Sequence, residues 1–402
     1  MARRGPYIAI IVAALAIRVA WVLLTPDYQL VHDAVDYDRH AAHIVQFGSF
    51  ETSYSRVTAF RPPAFIWLLS GFYWLFGDGE HRVELARLVN ALVGTGIVAL
   101  IGVLARMLWG RREALVAMAL AAVYLPLLEV GQAVMSEPLF ALLMLGAIVC
   151  ALKRWVLATG VLFGLTVLAR ANGLILALPF AWALWQGRAQ WWRPALMLVI
   201  AALCVIPWTI RNQIVLGHFV PVSTQFGSAM AGTYNDQAQH DPKNPASWRA
   251  LGHIPEMKRY IGHIRKTNEA VLDQQLRSYS IDYIKAHPSS VAKTAWWTSR
   301  RMLDLGGIHW SIHTASTISV GRTVAKLGVF VFWLYFVLAV IGAFDRRARA
   351  APLWVWTVPL LMYLSVVFLV VETPRYRTAI DPFIVLLAAL TLTRTRTGLK
   401  AR

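Results

Sequence analysis

The run PPAFIWLLSGFYWLFG at residues 62–77 decides how this chain is threaded, because counting it as a membrane span moves everything after it to the opposite side. Around it, apolar runs near residues 6–24, 84–107, 113–131, 137–152, 155–170, 172–186, 194–212, 322–344, 351–371 and 376–393 read as spanning helices, about ten in all. Charge settles the doubtful run. If 62–77 lies at the interface, then MARR at 1–4, Arg111 with Arg112, Lys153 with Arg154, Arg188 with Arg193, DRRARA at 345–350 and the tail TRTRTGLKAR at 393–402 all share one side, the cytoplasm. If it spans, the N-terminus opposes all the rest. Residues 62–77 therefore read as an interfacial or re-entrant helix, which suits Phe65, Trp67, Phe72, Tyr73 and Trp74.

Composition agrees with that frame. At 57% hydrophobic and 15% charged over 402 residues, with a mean hydropathy of +0.53, the chain is too apolar for a soluble globule. The expected fold class is an all-α polytopic membrane protein, a single integral domain over 1–402 with a first outer loop at 25–83 and a long outer segment at 213–321. The net charge of +18 falls in short clusters between apolar runs, a topology signal rather than a nucleic-acid surface. The first apolar run, Pro6 to Leu24, lacks a small-residue cleavage site and is expected to stay as an anchor. Cys150 and Cys204 lie inside apolar runs and read as packing residues, neither a disulfide nor a metal pair. The segment 213–321 begins turn-rich, GHFVPVSTQFGSAMAGTYND at 217–236, then shows helical patterns at 268–287 and 289–305. A connection of that length is more often functional than idle, and its tryptophans and arginines suit a helix lying on the membrane surface.

With this threading, four polar motifs share the outer side. The first is HDAVDYDRHAAHIVQFGSF at 32–50 with FRPPAF at 60–65, which sets Asp33, Asp36 and Tyr37 at i, i+3 and i+4 on one helical face, joined by His40 at i+7. The others are Ser136-Glu137-Pro138, Arg170-Ala171-Asn172 and Arg375-Tyr376-Arg377. Asp33 and Asp36 could take a proton from a hydroxyl, since general-base work needs a carboxylate within hydrogen-bond reach; the competing reading is helix capping. Glu137 between Ser136 and Pro138 also reads as an ordinary helix start. Arg61, Arg170, Arg375 and Arg377 match a phosphate through the planar guanidinium fork, against snorkelling at helix ends, and four on one side favour the phosphate. His32, His40, His43, His240, His253, His263, His309 and His313 could join carboxylates at a metal, but only His309 and His313 have HxxxH spacing, and they lack the adjacent glutamate of HExxH.

The order of these motifs resembles the bacterial GT-C glycosyltransferases related to protein mannosyltransferases and lipid A aminoarabinose transferases, along most of the chain. Asp33, Tyr37, Ala41 and Gly48-Ser49-Phe50 resemble the family's acidic residue with tyrosine four later, its Ala-rich helix and its Gly-aromatic ending. Arg61-Pro62-Pro63 is similar to its basic-Pro-Pro element, MSEPLF at 135–140 to its acidic helix start, and LARANGLIL at 168–176 to its basic residue before the next span. PWTIRNQIVLGHFVPVST at 207–224 and RYRTAIDP at 375–382 are similar to further characteristic segments. There are two departures. His32-Asp33 stands where many relatives have Asp-Glu, and the chain ends after its last span where larger members carry a soluble domain.

The resemblance implies a GT-C type bundle with interfacial helices and a long outer loop. It implies an inverting transferase, hexosyl or pentosyl, that moves a sugar from a polyprenyl-phosphate carrier to a lipid, glycan or protein acceptor of the cell envelope. The site would face the periplasmic or extracellular side of a bacterial cytoplasmic (inner) membrane, with both termini cytoplasmic. Asp33 is the expected catalytic base, Arg61, Arg170, Arg375 and Arg377 are expected at the phosphate, and Tyr37, Asp36 and Glu137 position the substrate. No cofactor is expected, because arginine can stabilise a leaving lipid phosphate directly, while a divalent cation stays open. Membrane lipids are the surrounding partners, and nucleic acid is not one. The rival is a transporter or flippase of the same lipid-linked sugar, which would usually set ionisable groups near mid-membrane on broken helices in repeated halves; here the acidic groups stand at span ends and the halves differ. The threading has a direct test. A cysteine introduced between 240 and 250 should be labelled by an impermeant reagent added to intact cells, and labelling only after lysis would overturn it.

Overall fold

The computed structural model describes residues 4–52, 56–185, 187–262, 267–368 and 373–394, so the first three residues of MARR, His263 and the tail beyond Arg394 lie outside it. The regular secondary structure of the described residues is helical, apart from a two-residue antiparallel pairing of Glu51 with Val57 and Thr52 with Arg56. It is an all-α bundle of apolar helices. Gly5–Leu24, Arg82–Leu108, Trp192–Leu216 and Arg322–Ala343 are each long and apolar enough to cross a bilayer, and Arg111–Val123 with Leu125–Gly131 makes a fifth crossing if the pair, bent by 55°, is one span. The bend falls at Tyr124, just before Pro126, where the ring and the missing N–H interrupt the helical ladder.

The other expected spans are shorter than their hydropathy suggests. Glu137–Leu152, Val156–Ala169, Leu353–Val367 and Asp381–Leu392 have 16, 14, 15 and 12 residues, which at about 1.5 Å each fall short of a hydrocarbon layer of roughly 30 Å. Two runs read as single helices open on a 3₁₀ turn instead, Ala171–Leu176 ahead of Ala177–Leu184 and Pro374–Ala379 ahead of Asp381–Leu392. Glu137 and Asp381, the first residues of two of these helices, are buried.

Close helix contact depends on small residues. Gly160 and Gly164 sit four apart on Val156–Ala169 and face Trp192–Leu216. A Cβ on Gly160 would stand 2.8 Å from the Met197 carbonyl oxygen, and one on Gly164 would stand 2.9 Å from that of Ala201. Leu327, Phe330, Leu334 and Val337 are exposed on Arg322–Ala343, an apolar surface that lipid covers.

The two ends of the bundle differ. At one, Asp33–Phe47 packs on Pro63–Phe76, and Tyr73 and Arg82 both reach the buried Asp38 at 3.0 Å. Gln225–Thr233, Glu269–Ala286, Ser289–Met302 and Ile308–Ser316 also gather here, so the helical patterns at 268–287 and 289–305 are helices. At the other, Arg347 bonds Glu113 at 2.7 Å and Asp345 at 2.9 Å, and Trp109 donates to the Arg347 carbonyl. Cys150 and Cys204 are both free. The glycine contacts give a stability test. Gly160→Ala and Gly164→Ala should each cost about 1–3 kcal/mol, read as a lowered thermal midpoint in detergent, while Gly146→Ala, whose Cβ would meet a movable Leu162 methyl at 3.3 Å, should change little. Equal shifts in all three would mean that the first two are not in close contact.

Candidate functional site

Arg61 enters from the bend ahead of Pro63–Phe76, and four further stretches deliver charged side chains to the same place, three of them by leaving the α-helix. Residues 132–136 are non-helical between Leu125–Gly131 and Glu137–Leu152. Buried backbone of this kind must find partners. Asn90 donates to the Ala133 and Met135 carbonyls at 2.5 and 3.1 Å, and the buried Arg87 donates to the Gln132 and Thr25 carbonyls at 3.1 and 2.8 Å. Arg170 immediately precedes one 3₁₀ turn and Arg375 lies within the other. The fourth stretch is the start of Asp33–Phe47, reached through His32 at φ 49°.

The side chains form one ionic network. Arg61 Nη2 donates to Asp33 Oδ1 at 2.8 Å and to Asp36 Oδ2 at 2.6 Å, and Arg375 Nη2 donates to the other Asp33 oxygen. Arg170 Nη1 pairs with Glu137 Oε1 at 2.9 Å, and Arg375 Nε lies 3.6 Å from the same oxygen. Ser136 Oγ joins the Tyr37 hydroxyl, 3.0 Å away, to Arg170 Nη1 at 3.2 Å. Arg170 and Arg375 lie against the Tyr376 ring and Arg61 against that of Tyr37. Three guanidinium groups thus balance three carboxylates.

This geometry displaces the bland readings of these residues. The N-cap residues His32 and Ser136 make no side-chain cap hydrogen bond, and the Asp33 and Glu137 carboxylates that follow them pair with guanidinium groups. The Arg61 and Arg375 side chains are each 9% exposed and turn inward, where a snorkelling arginine would reach water. Burial opposes charge on Asp33, yet Arg375 and Arg61 outweigh it and hold its carboxyl well below the usual carboxylate range.

Asp33, Tyr37, Arg61, Arg170 and Arg375 line one wall of a cleft of about 1010 Å³. Asp36 and Glu137, expected to touch substrate, stand behind that wall and reach the cleft only through the arginines they hold. Arg377 is a larger departure. It donates to Asp304 at 2.9 Å, Asp381 at 3.1 Å and the Met302 carbonyl at 2.6 Å, away from the cleft, because two residues past Arg375 on a tight turn a side chain points elsewhere. His40 is buried, its Nδ1 2.6 Å from the Asp36 carbonyl. The facing wall comes from the long polar segment and includes Phe226, Asp241, Trp248, Arg249, His309 and Trp310, with Asp241 paired to Arg249. The motifs singled out neither Asp241 nor Arg249; a turn-forming Asp-Pro and a Trp-Arg pair in a long loop were the available signal. Among the described residues no three His, Cys, Asp or Glu side chains gather as a ligand set, and both Asp33 oxygens face guanidinium groups.

A family profile described as dolichyl-phosphate-mannose-protein mannosyltransferase matches residues 60–210, the part that carries Arg61, Glu137 and Arg170. Among solved structures, the chain superposes on the archaeal oligosaccharyltransferase AglB from Archaeoglobus fulgidus, in complex with an inhibitory peptide and a dolichol-phosphate, with TM-score 0.55 and 14% identity over 96% of this chain and 50% of that one. The chain has a GT-C fold. A second structure of the Archaeoglobus enzyme, tethered with an acceptor peptide, matches with TM-score 0.55 and 16% identity over 96% of this chain and 49% of that one. ArnT from Cupriavidus metallidurans bound to undecaprenyl phosphate matches with TM-score 0.47 and 16% identity, over 97% of this chain and 78% of that one. The chain spans about half the length of the oligosaccharyltransferase. No curated protein sequence matches it. The fold implied by the motif resemblance is the fold observed.

The division between Arg377 and the cleft arginines can be measured. Arg377→Met leaves Asp304 and Asp381, each nearly fully buried, without their cation and should cost about 3–5 kcal/mol of stability. Arg61→Ala should cost less, because Asp33 keeps Arg375 and the Asp36 side chain is 42% exposed. Thermal midpoints that fall equally would erase the distinction.

Proposed function

We propose that this protein is a glycosyltransferase that moves a hexosyl or pentosyl group from a polyprenyl monophosphate carrier to an acceptor hydroxyl or amine of the cell envelope. The observation that carries the reading is the cleft wall itself, where one ionised carboxylate, Asp33, stands among three guanidinium groups, that of Arg61 buried and those of Arg170 and Arg375 partly buried. The profile match to a dolichyl-phosphate-mannose-dependent family and the dolichol-phosphate held by AglB support a lipid phosphate as leaving group. The acceptor oxygen or nitrogen attacks the anomeric carbon while the bond from that carbon to the phosphate oxygen breaks. The electron pair leaves with the phosphate, and the acceptor proton passes to Asp33. Arg61, Arg170 and Arg375 face the charge that grows on the phosphate, the kind of preorganised stabilisation that lowers a barrier most. One displacement inverts the anomeric configuration. Tyr37 and Ser136 fix the positions of these groups, and Asp36 and Glu137 hold the arginines from behind.

Charge distribution supports an outward-facing site in a bacterial inner membrane. Arg111-Arg112, Lys153-Arg154, Arg193 and Arg346–Arg349 all fall at the helix ends away from the cleft, the pattern of a cytoplasmic face. The transporter alternative gains one observation, since Glu137, Arg170 and Arg375 stand at helix breaks, a placement typical of transport sites. The decisive experiment must therefore register bond cleavage.

Copurifying lipid identified by mass spectrometry supplies the donor for a transfer assay on wild type and Asp33→Asn. In the variant Arg61 keeps Asp36 and Arg375 keeps Glu137 nearby, so the protein should fold and bind carrier while transfer falls about 10²- to 10⁴-fold. Because Asp33 is held below the usual range, it stays deprotonated as pH falls, and acid loss of kcat/KM through this group should come below the free-aspartate pKa of about 3.9. Near-normal transfer by Asp33→Asn would remove it as the base. Movement of intact donor across a bilayer without cleavage would replace the transferase with a transporter.

A further inference from the structure

A second cavity, of about 640 Å³, lies beside the cleft, and its lining divides by chemistry. Ile308, Ile312 and Val320 give it an apolar side, while Arg322 and Lys326 supply two cations and His309 and His313 two imidazoles. No acidic side chain among the described residues lines it, and neither Arg322 nor Lys326 has an ion-pair partner among them. Those two cations are four residues apart in the first turns of Arg322–Ala343, a helix long and apolar enough to cross a bilayer. That is the level at which a membrane keeps its headgroups. His309 and His313, also four apart, line both this cavity and the cleft, so Ile308–Ser316 is the partition between them.

An apolar wall beside unneutralised cations at headgroup level matches a phosphate whose chain stays in hydrocarbon. We propose that this cavity is a loading site for the polyprenyl phosphate carrier, which rests at Arg322 and Lys326 before its phosphate passes His309 and His313 to Arg375; the inference rests on the donor class proposed above. The physical reason is that such a carrier cannot leave the bilayer to enter from water. Its phosphate has to arrive sideways, at the depth where Arg322–Ala343 begins, and His309 and His313 border both that cavity and the cleft. Arg375 lines the cleft together with these histidines.

The test counts lipids. Native mass spectrometry of the purified full chain with sugar-free polyprenyl monophosphate should show two lipids per wild-type chain. The double variant Arg322→Gln with Lys326→Gln should retain one, with the second weakened about thirtyfold. Arg61→Ala should show the converse, weakening the cleft lipid and sparing the other. A single lipid on wild type, or two undiminished on the double variant, overturns the loading site. So does displacement of the second lipid by an equal amount of phosphatidylglycerol, which would make the cavity a seat for bulk anionic lipid. None of these readouts requires transfer, so a failed transfer reaction counts against the enzyme reading alone and a failed lipid count against the loading site alone.

Discussion

A guanidinium group taken out of water into an apolar bundle needs a counter-charge or a set of oxygen acceptors, as Arg87 has in carbonyl, hydroxyl and amide oxygens, and that constraint organises this molecule. Arg61 is 7% exposed and Arg377 3%, and each is held by two carboxylates from distant or neighbouring turns. The cleft network alone ties positions 33, 36, 61, 137, 170 and 375, which span most of the chain. Its members share partners, so removing one leaves its neighbours a second counter-charge: Asp33 keeps Arg375 when Arg61 is lost, and Arg61 keeps Asp36 when Asp33 is lost. Buried carboxylates are paired in turn, Asp38 with Arg82 and Glu113 with Arg347, one pair at each end of the bundle.

Charged groups reach the interior because helices are interrupted there, and every interruption has to be satisfied. Asn90 and Arg87 take up carbonyls of the break before Glu137. The segment leading to Arg61 is held from two sides. Glu269 accepts from the Ala59 N–H at 2.5 Å and the Thr58 hydroxyl at 2.7 Å, while Arg211 donates to the Thr58 and Phe50 carbonyls at 2.6 and 2.9 Å. A long insertion between spans is thereby a structural support for the site as well as its facing wall. Arg61 is aimed by contacts made about 150 and 210 residues away in the chain.

How much of this was legible follows from what each signal depends on. Hydropathy depends on composition over about 20 residues, so the apolar helices stand close to where the sequence placed them. It is blind to the backbone within a run, and so the 3₁₀ turns at Ala171–Leu176 and Pro374–Ala379 were read as plain helix. The spacing of Asp33, Asp36 and Tyr37 did predict a shared face. It could not say that Asp33 and Tyr37 would reach the cleft while Asp36 turned behind Arg61, because that depends on where Arg61 comes from. Arg375 and Arg377 look equivalent as letters; two residues apart on a tight turn, they serve different carboxylates. Asp304 and Asp241 were illegible for the same reason, since each takes its meaning from an arginine that only the fold brings near.

In the proposed reaction, a lipid phosphate entering the cleft competes with Asp33 for Arg61 and Arg375. In the arrangement seen here both arginines lower the proton affinity of Asp33, which keeps it ionised but makes it a weak base. A phosphate that draws the guanidinium groups toward itself relaxes that hold, so Asp33 becomes more basic when the donor is in place and an acceptor proton has to be taken. The exchange would be costly if either arginine were left without a counter-charge while it moved. Asp36 behind Arg61 and Glu137 behind Arg375 prevent that, because each stays with its arginine whichever anion occupies the cleft side. Two carboxylates that do not line the cleft thus belong to its chemistry, as the fixed half of a pairing whose other half changes hands.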